Sequence, residues 1–137
     1  MEGTRVLAID YGTKRVGLAL SDPMKILATP FDTWENKGDL AERLLELIKE
    51  RNVDKVLVGY PLNGDGSKTV LSDVIEKFAG LLRERSGVDV ELVDERYSSS
   101  IASERIISSV AKKSKRRDKG LVDKFAAAVL LEEFLNS

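Results

Sequence analysis

The chain of 137 residues contains neither cysteine nor histidine. Without cysteine there is no disulfide scaffold and no thiol nucleophile. Without histidine there is no Ser-His-Asp triad and no imidazole base, and zinc sites of the Cys/His kind fall with both. Any catalysis must run on carboxylates, lysine, arginine, hydroxyls or a bound ion. No apolar run is long enough to span a bilayer, and the polar start leading into the first strand does not read as a signal peptide. Neither charge dominates: 22 Lys+Arg against 23 Asp+Glu leave a net charge of −1. The absence of cysteine agrees with a reducing cytosol. These absences, with the length, predict a soluble cytoplasmic protein made of one domain, 1–137.

What is present reads as an alternation of strands and helices. Arg5-Val6-Leu7-Ala8-Ile9-Asp10 is a short apolar run ending in an acid, and Tyr11-Gly12-Thr13-Lys14 supplies a turn. Arg15 to Ser21 alternates like a strand, Asp22-Pro23 breaks it, and Ile26 to Trp34 offers a third extended stretch, so an antiparallel three-strand meander is expected. Asp39 with Glu42 resembles a capping box ahead of Leu40, Leu44, Leu47 and Ile48 at helical spacing. Val53 to Tyr60 reads as a buried strand, and Leu71, Val74, Ile75, Phe78 and Leu82 as the stripe of a second helix stopped at Gly87. Val88 to Asp94 is a fifth strand. A short helix near 100–110 and a final one from about Leu121 to Leu135 complete the chain. Strands four and five are each reached through a helix and should lie parallel to a neighbour. The predicted architecture is α/β, a mixed five-stranded sheet (three antiparallel strands, then two parallel) with helices on both faces.

The residues able to carry chemistry are acids at element ends. Asp10 closes the first strand and Asp94-Glu95 the fifth, where strand carboxyl ends open towards a crevice. A solvated turn acid is the plain alternative for each. Asp123 shares a helical face with Ala127, Leu130, Leu131 and Phe134, so it should point at the sheet, where a carboxylate needs a cation, a proton or a basic partner. Its plain alternative is an ion pair with Lys or Arg. Three acids from separate elements are hard-oxygen ligands suited to Mg²⁺ or Mn²⁺ and to phosphodiester hydrolysis. Strand alternation groups Asp94 with Val88, Val90 and Leu92 on the core side, but Glu95 lies just past the strand and its longer arm reaches a metal more easily. Glu95 is therefore the favoured ligand.

Two loops and one charge run remain. In Asp10-Tyr11-Gly12-Thr13-Lys14-Arg15-Val16-Gly17 the glycines permit close backbone approach, while Thr13 and Lys14 offer donors to phosphate. The segment Gly59 to Ser67 feeds a helix N-terminus, where anions bind, although a plain connecting loop explains it as well. Lys112, Lys113, Lys115, Arg116, Arg117 and Lys119 form a basic run. It is either a solvated loop or a surface that steers a phosphate backbone, with binding weakened by salt.

These stretches together resemble the family called YqgF or RuvX, Holliday-junction-resolvase-like nucleases. The resemblance rests on Ala8 to Ala19, Val58 to Ser67, Asp94-Glu95-Arg96-Tyr97-Ser98-Ser99 and Lys119 to Ala127. They span nearly the whole chain in the family's order. Tyr60 and Gly64 depart from the more usual Leu and Met, side-chain choices in a loop. The resemblance implies a ribonuclease H-like fold and a metal-dependent nuclease acting in 5′-end maturation of precursor 16S ribosomal RNA, as part of ribosome biogenesis. It also implies an acidic site of Asp10, Asp94-Glu95 and Asp123, with Arg96 as a phosphate or structural partner. Its partner would be structured RNA in a pre-ribosomal particle, not a membrane. A non-catalytic nucleic-acid-binding or assembly factor and a resolvase of four-way DNA junctions are the competing readings. An actin-like ATPase, suggested by Asp-x-Gly-Thr, is excluded because it needs two such domains around the nucleotide. Oligomeric state is not legible.

Overall fold

A computed structural model describes residues 3–94 and 119–136, with side chains in the second stretch from Asp123 onward. The elements are β1 (Arg5–Tyr11), β2 (Arg15–Ser21), β3 (Ala28–Glu35), α1 (Leu40–Glu50), β4 (Val53–Tyr60), α2 (Val70–Ser86), β5 (Asp89–Asp94) and α3 (Lys119–Leu135). They form one five-stranded sheet in the order β3-β2-β1-β4-β5. β1–β2 and β2–β3 pair antiparallel; β1–β4 and β4–β5 pair parallel. This is the predicted mixed sheet. The helix expected near 100–110 lies outside the described residues. Among those that are described, no helix is long and apolar enough to cross a membrane.

The period-2 alternation of the strands divides the core into two layers. Leu7 and Ile9 of β1, Val16, Leu18 and Leu20 of β2, Val56 and Val58 of β4 and Val90 of β5 face α1 and α2, where they bury Leu44, Leu47, Ile75 and Leu82. Val6, Ala8, Ala19 and Leu57 face the other way and pack on Ala127, Ala128 and Leu131 of α3. The small residues on both sides of this second interface let α3 lie close to the sheet. β1 and β2 sit in the middle of the sheet with both faces covered, which is why their interiors read as continuous apolar runs.

Three local expectations change. The third strand starts at Ala28, not Ile26, because Asp22 organises the preceding loop: its Oδ1 accepts the N–H groups of Ile26 (2.8 Å) and Leu27 (2.7 Å), and its Oδ2 that of Met24 (3.2 Å). Those backbone donors bind a side chain instead of a neighbouring strand. Asp39 makes no side-chain cap on α1, and Glu42 does not reach back to it; Glu42 accepts instead from Arg85 Nη1 of α2 at 3.0 Å. Val74 is 45% exposed, and the stripe of α2 runs through Ser72, Ile75, Ala79 and Leu82. Gly87 does stop α2 as predicted, in the left-handed conformation at φ 72°.

Candidate active site

β1 carries Asp10 to the face on which α3 lies. Val6 and Ala8 both pack on α3, and Asp10 is the next residue of that parity. Directly opposite it in the antiparallel ladder is Gly17 of β2. There the backbone of α3 comes down onto the sheet: a Cβ on Gly17 would overlap the Asp123 carbonyl and stand 2.8 Å from the Lys124 nitrogen. Asp10 and the start of α3 thus flank the same glycine, and two acids 113 positions apart in sequence share one patch of the sheet. Any larger residue at position 17 would hold the helix, and Asp123 with it, away from Asp10.

Asp123 is partly covered and is paired. Arg15, two residues before Gly17 and of the same parity, donates from Nε to Asp123 Oδ2 at 2.9 Å. The side chains are 38% and 25% exposed, so the pair is partly hydrated and is worth little in stability by itself. Its effect is orientation. Only one carboxylate oxygen is taken, and Oδ1 has no hydrogen bond among the described residues. The ion pair with a basic residue, the plain alternative for Asp123, is what forms, and Arg15 is a candidate site residue that sequence reasoning missed. The signal was available: Arg15 follows Lys14 in the turn motif and has the parity of Gly17.

Asp94 is not brought to this patch. In β5 it shares parity with Val90 and Leu92, whose core lies under α1 and α2, and in register it faces Tyr60. It is exposed at the strand end, on the opposite face of the sheet from Asp10. Alternation groups it with Val90 and Leu92 on a core side, as found, and that side is the one under α1 and α2. Glu95, Arg96, Lys112, Lys113, Lys115, Arg116 and Arg117 lie outside the described residues, as does the side chain of Lys119. Among the described residues no group of three or more acids, His or Cys is arranged to hold a metal ion. The two carboxylates on the α3 face, Asp10 and Asp123, are oxygen donors only. They suit a hard divalent cation, and a guanidinium already stands against one of them as a positive charge.

The turn after β1 is tightly held. Gly12 has no room for a side chain, since a Cβ would be 2.5 Å from the Arg15 carbonyl. Asn36, just past β3, donates from its backbone N–H to the Lys14 carbonyl (2.9 Å) and from Nδ2 to the Gly12 carbonyl (2.8 Å). Lys14 is exposed beside it. The loop before α2 is closed on itself: Asp65 Oδ1 accepts from the Ser67 N–H (2.9 Å) and hydroxyl (2.7 Å), and Asn63 Nδ2 donates to Ser67 Oγ at 2.9 Å. Buried Ser72 anchors it, donating to the Pro61 carbonyl at 2.7 Å and accepting from the Thr69 N–H at 2.9 Å. Behind the loop, Lys68 (3.1 Å) and the Tyr60 hydroxyl (3.0 Å) both donate to Glu76, and these bonds, Lys68 first, hold the Glu76 carboxyl below its ordinary range.

Comparison with known proteins places this geometry in context. The model of the family described as "RuvX: Holliday junction resolvase" matches residues 4–137. A protein of Prosthecochloris aestuarii named "Putative pre-16S rRNA nuclease" is 39% identical over 133 residues, covering 96% of this chain and 93% of its own. Among solved structures, that of Thermus thermophilus RuvC in complex with a Holliday junction substrate superposes with a TM-score of 0.58 at 16% identity, over 93% of this chain and 91% of that one. The fowlpox virus Holliday junction resolvase gives 0.62 at 12% identity, over 97% and 99%. At such identities the likeness shows the fold, and that fold is the ribonuclease H-like one that the family resemblance implies.

Proposed function

The chain belongs to the RuvX family, and from that premise we propose that it is a metal-dependent nuclease hydrolysing phosphodiester bonds, acting in the cytoplasm at the 5′ end of precursor 16S ribosomal RNA in pre-ribosomal particles. The observation that supports this most is the meeting of Asp10 and Asp123 over Gly17. Asp10, Asp123 and Glu95 would hold one or two Mg²⁺ or Mn²⁺ ions. The opposite-face position of Asp94 favours Glu95 over its neighbour as the third ligand. A bound divalent cation supplies an activated water and charge stabilisation at the leaving oxygen.

The chain's own groups do the rest. Arg15 orients the Asp123 carboxylate through Oδ2, and Oδ1 would remain available to hold the cation. Asp10 is held on a central strand, where its backbone has little freedom, as an active-site ligand requires. Lys14, Arg96 and the basic run Lys112 to Lys119 would bind and steer the phosphate backbone. With net charge near zero, that attraction must be local.

The test is cleavage of precursor 16S rRNA by the purified protein in Mg²⁺ and in EDTA. Wild type should cut only with the metal, and Asp10→Asn and Asp123→Asn should not cut. Equal cutting by all three proteins removes the reading. The family model's description favours a second reading, resolution of four-way DNA junctions. That reaction makes paired cuts and requires a two-fold dimer. A preference for junction DNA over precursor rRNA, with a dimer in solution, would select it.

A further inference from the structure

Between the β1–β2 turn and the end of β3 lies a cleft of about 440 Å³ walled by Thr13, Lys14, Arg15, Glu35, Asn36 and Lys37. Three cationic side chains meet one carboxylate there, and Glu35 is already matched by Lys37 at 3.0 Å. The Lys14 ammonium and the Thr13 hydroxyl have no partner among the described residues. Arg15 commits only Nε to Asp123, so its two terminal nitrogens have no protein acceptor among those residues either. The walls are rigid, because Asn36 ties the β1–β2 turn to the end of β3 through the Gly12 and Lys14 carbonyls. An arginine fork held at one end, a lysine and a hydroxyl in a fixed concave turn are the donors a phosphate oxyanion needs.

We propose that this cleft is a subsite for a backbone phosphate of the nucleic acid, adjacent to the one hydrolysed, bound by Lys14 and the terminal nitrogens of Arg15. The nucleic-acid source of that phosphate rests on the nuclease reading above. Arg15 then has two ends with two tasks. Nε fixes the Asp123 carboxylate, and the far side of the same planar group holds the strand, so the carboxylate patch and the polynucleotide are set at one distance by one rigid guanidinium. Lysine cannot do both, since its single ammonium serves either Asp123 or the phosphate.

The experiment is binding of a fluorescent single-stranded RNA in EDTA, followed by anisotropy over a salt series, so that no cleavage intervenes. Lys14→Ala and Arg15→Gln should each weaken binding roughly fivefold to tenfold and lower the slope of log affinity against log salt by about 0.7, the value for one single-strand phosphate contact. Lys49→Ala, on the far side of α1, should match wild type. Arg15→Lys should restore the salt slope but not the affinity. Wild-type affinity and slope in Lys14→Ala and Arg15→Gln would overturn the subsite, as would full affinity in Arg15→Lys. Complete displacement of the RNA by inorganic phosphate at matched ionic strength would make the cleft a free-anion site and overturn it too. Failure here with Asp10→Asn inactive leaves the nuclease reading standing. Weakened binding in Lys14→Ala with Asp10→Asn still cutting refutes the nuclease reading and keeps the subsite.

Discussion

Gly17→Ala tests whether close approach of α3 to the sheet assembles the site. The added Cβ would stand 2.8 Å from the Lys124 nitrogen and overlap the Asp123 carbonyl. Both are backbone atoms of a helix, so no rotamer change relieves them. Ordinary contact begins at 3.4 Å, which requires the start of α3 to retreat by at least 0.6 Å at Lys124 and by more at Asp123. Overpacking of this kind costs about 1–3 kcal/mol. A ligand displaced by close to an ångström costs on the order of 100-fold in rate. The assay pairs urea unfolding with rRNA cleavage, and Gly80→Ala is the control. Gly80 lies inside α2 with nothing within 4 Å of its missing Cβ, so the same substitution should stabilise there by about 1 kcal/mol and leave cleavage unchanged. If Gly17→Ala were as stable and active as wild type, α3 would not be seated on β2 as described, and the convergence of Asp10 and Asp123 would lose its basis.

Ser72→Ala leaves the Pro61 carbonyl and the Thr69 N–H without their partner in a fully buried position, and should cost about 1–3 kcal/mol, read as a lower urea midpoint at unchanged slope. An unchanged midpoint would mean that water replaces the hydroxyl. The pH dependence follows from carboxyls held below their ordinary values: Asp22 by the Leu27 N–H and its neighbours, Glu42 by Arg85, Glu76 by Lys68 and Tyr60. A depressed folded-state pKa contributes stability above the unfolded value, near 3.8 for Asp and 4.5 for Glu, and loses it as pH falls through the folded one. Melting temperature should therefore hold down to about pH 5 and decline below it. The deficit of Glu42→Gln relative to wild type should close over the same range, and a deficit constant down to pH 3 would refute the assignment to Arg85.

The sheet was legible because its signals are local and redundant. β1, β2 and β4 are apolar runs bounded by turn residues, and a strand reached through a helix has few ways to return to the sheet. Two of the misreadings share one cause, a side chain capturing backbone or partner groups that pattern alone assigns elsewhere. Asp22 takes the amides that would have extended β3, and Arg85 takes the Glu42 carboxylate that would have closed a capping box. Both turn on spatial neighbours that periodicity does not report. Buried Ser72 was invisible for the same reason, since nothing in the sequence says that position 72 faces the Pro61 carbonyl.

The site shows the limit more sharply. Alternation along one strand says which residues share a face, and for Asp94 it gives the right companions, Val90 and Leu92. It does not say which of two covered faces they share, and a sheet with helices on both sides has two cores. Only the packing of α3 on Val6, Ala8 and Ala19 identifies the face of Asp10 as the one that receives Asp123. Once that face is known, parity becomes decisive: Arg15, Gly17 and Asp10 belong to it, and Asp94 does not. The same step explains why Arg15 was passed over. Read along the chain it is one more charge in a turn; read across the sheet it is the cation paired with Asp123 among the described residues, and it also lines the cleft beside the turn motif. The candidate site is therefore assembled by pairings between elements more than by any motif, and substitutions that change the approach of α3 to β2 should impair cleavage although they remove no carboxylate.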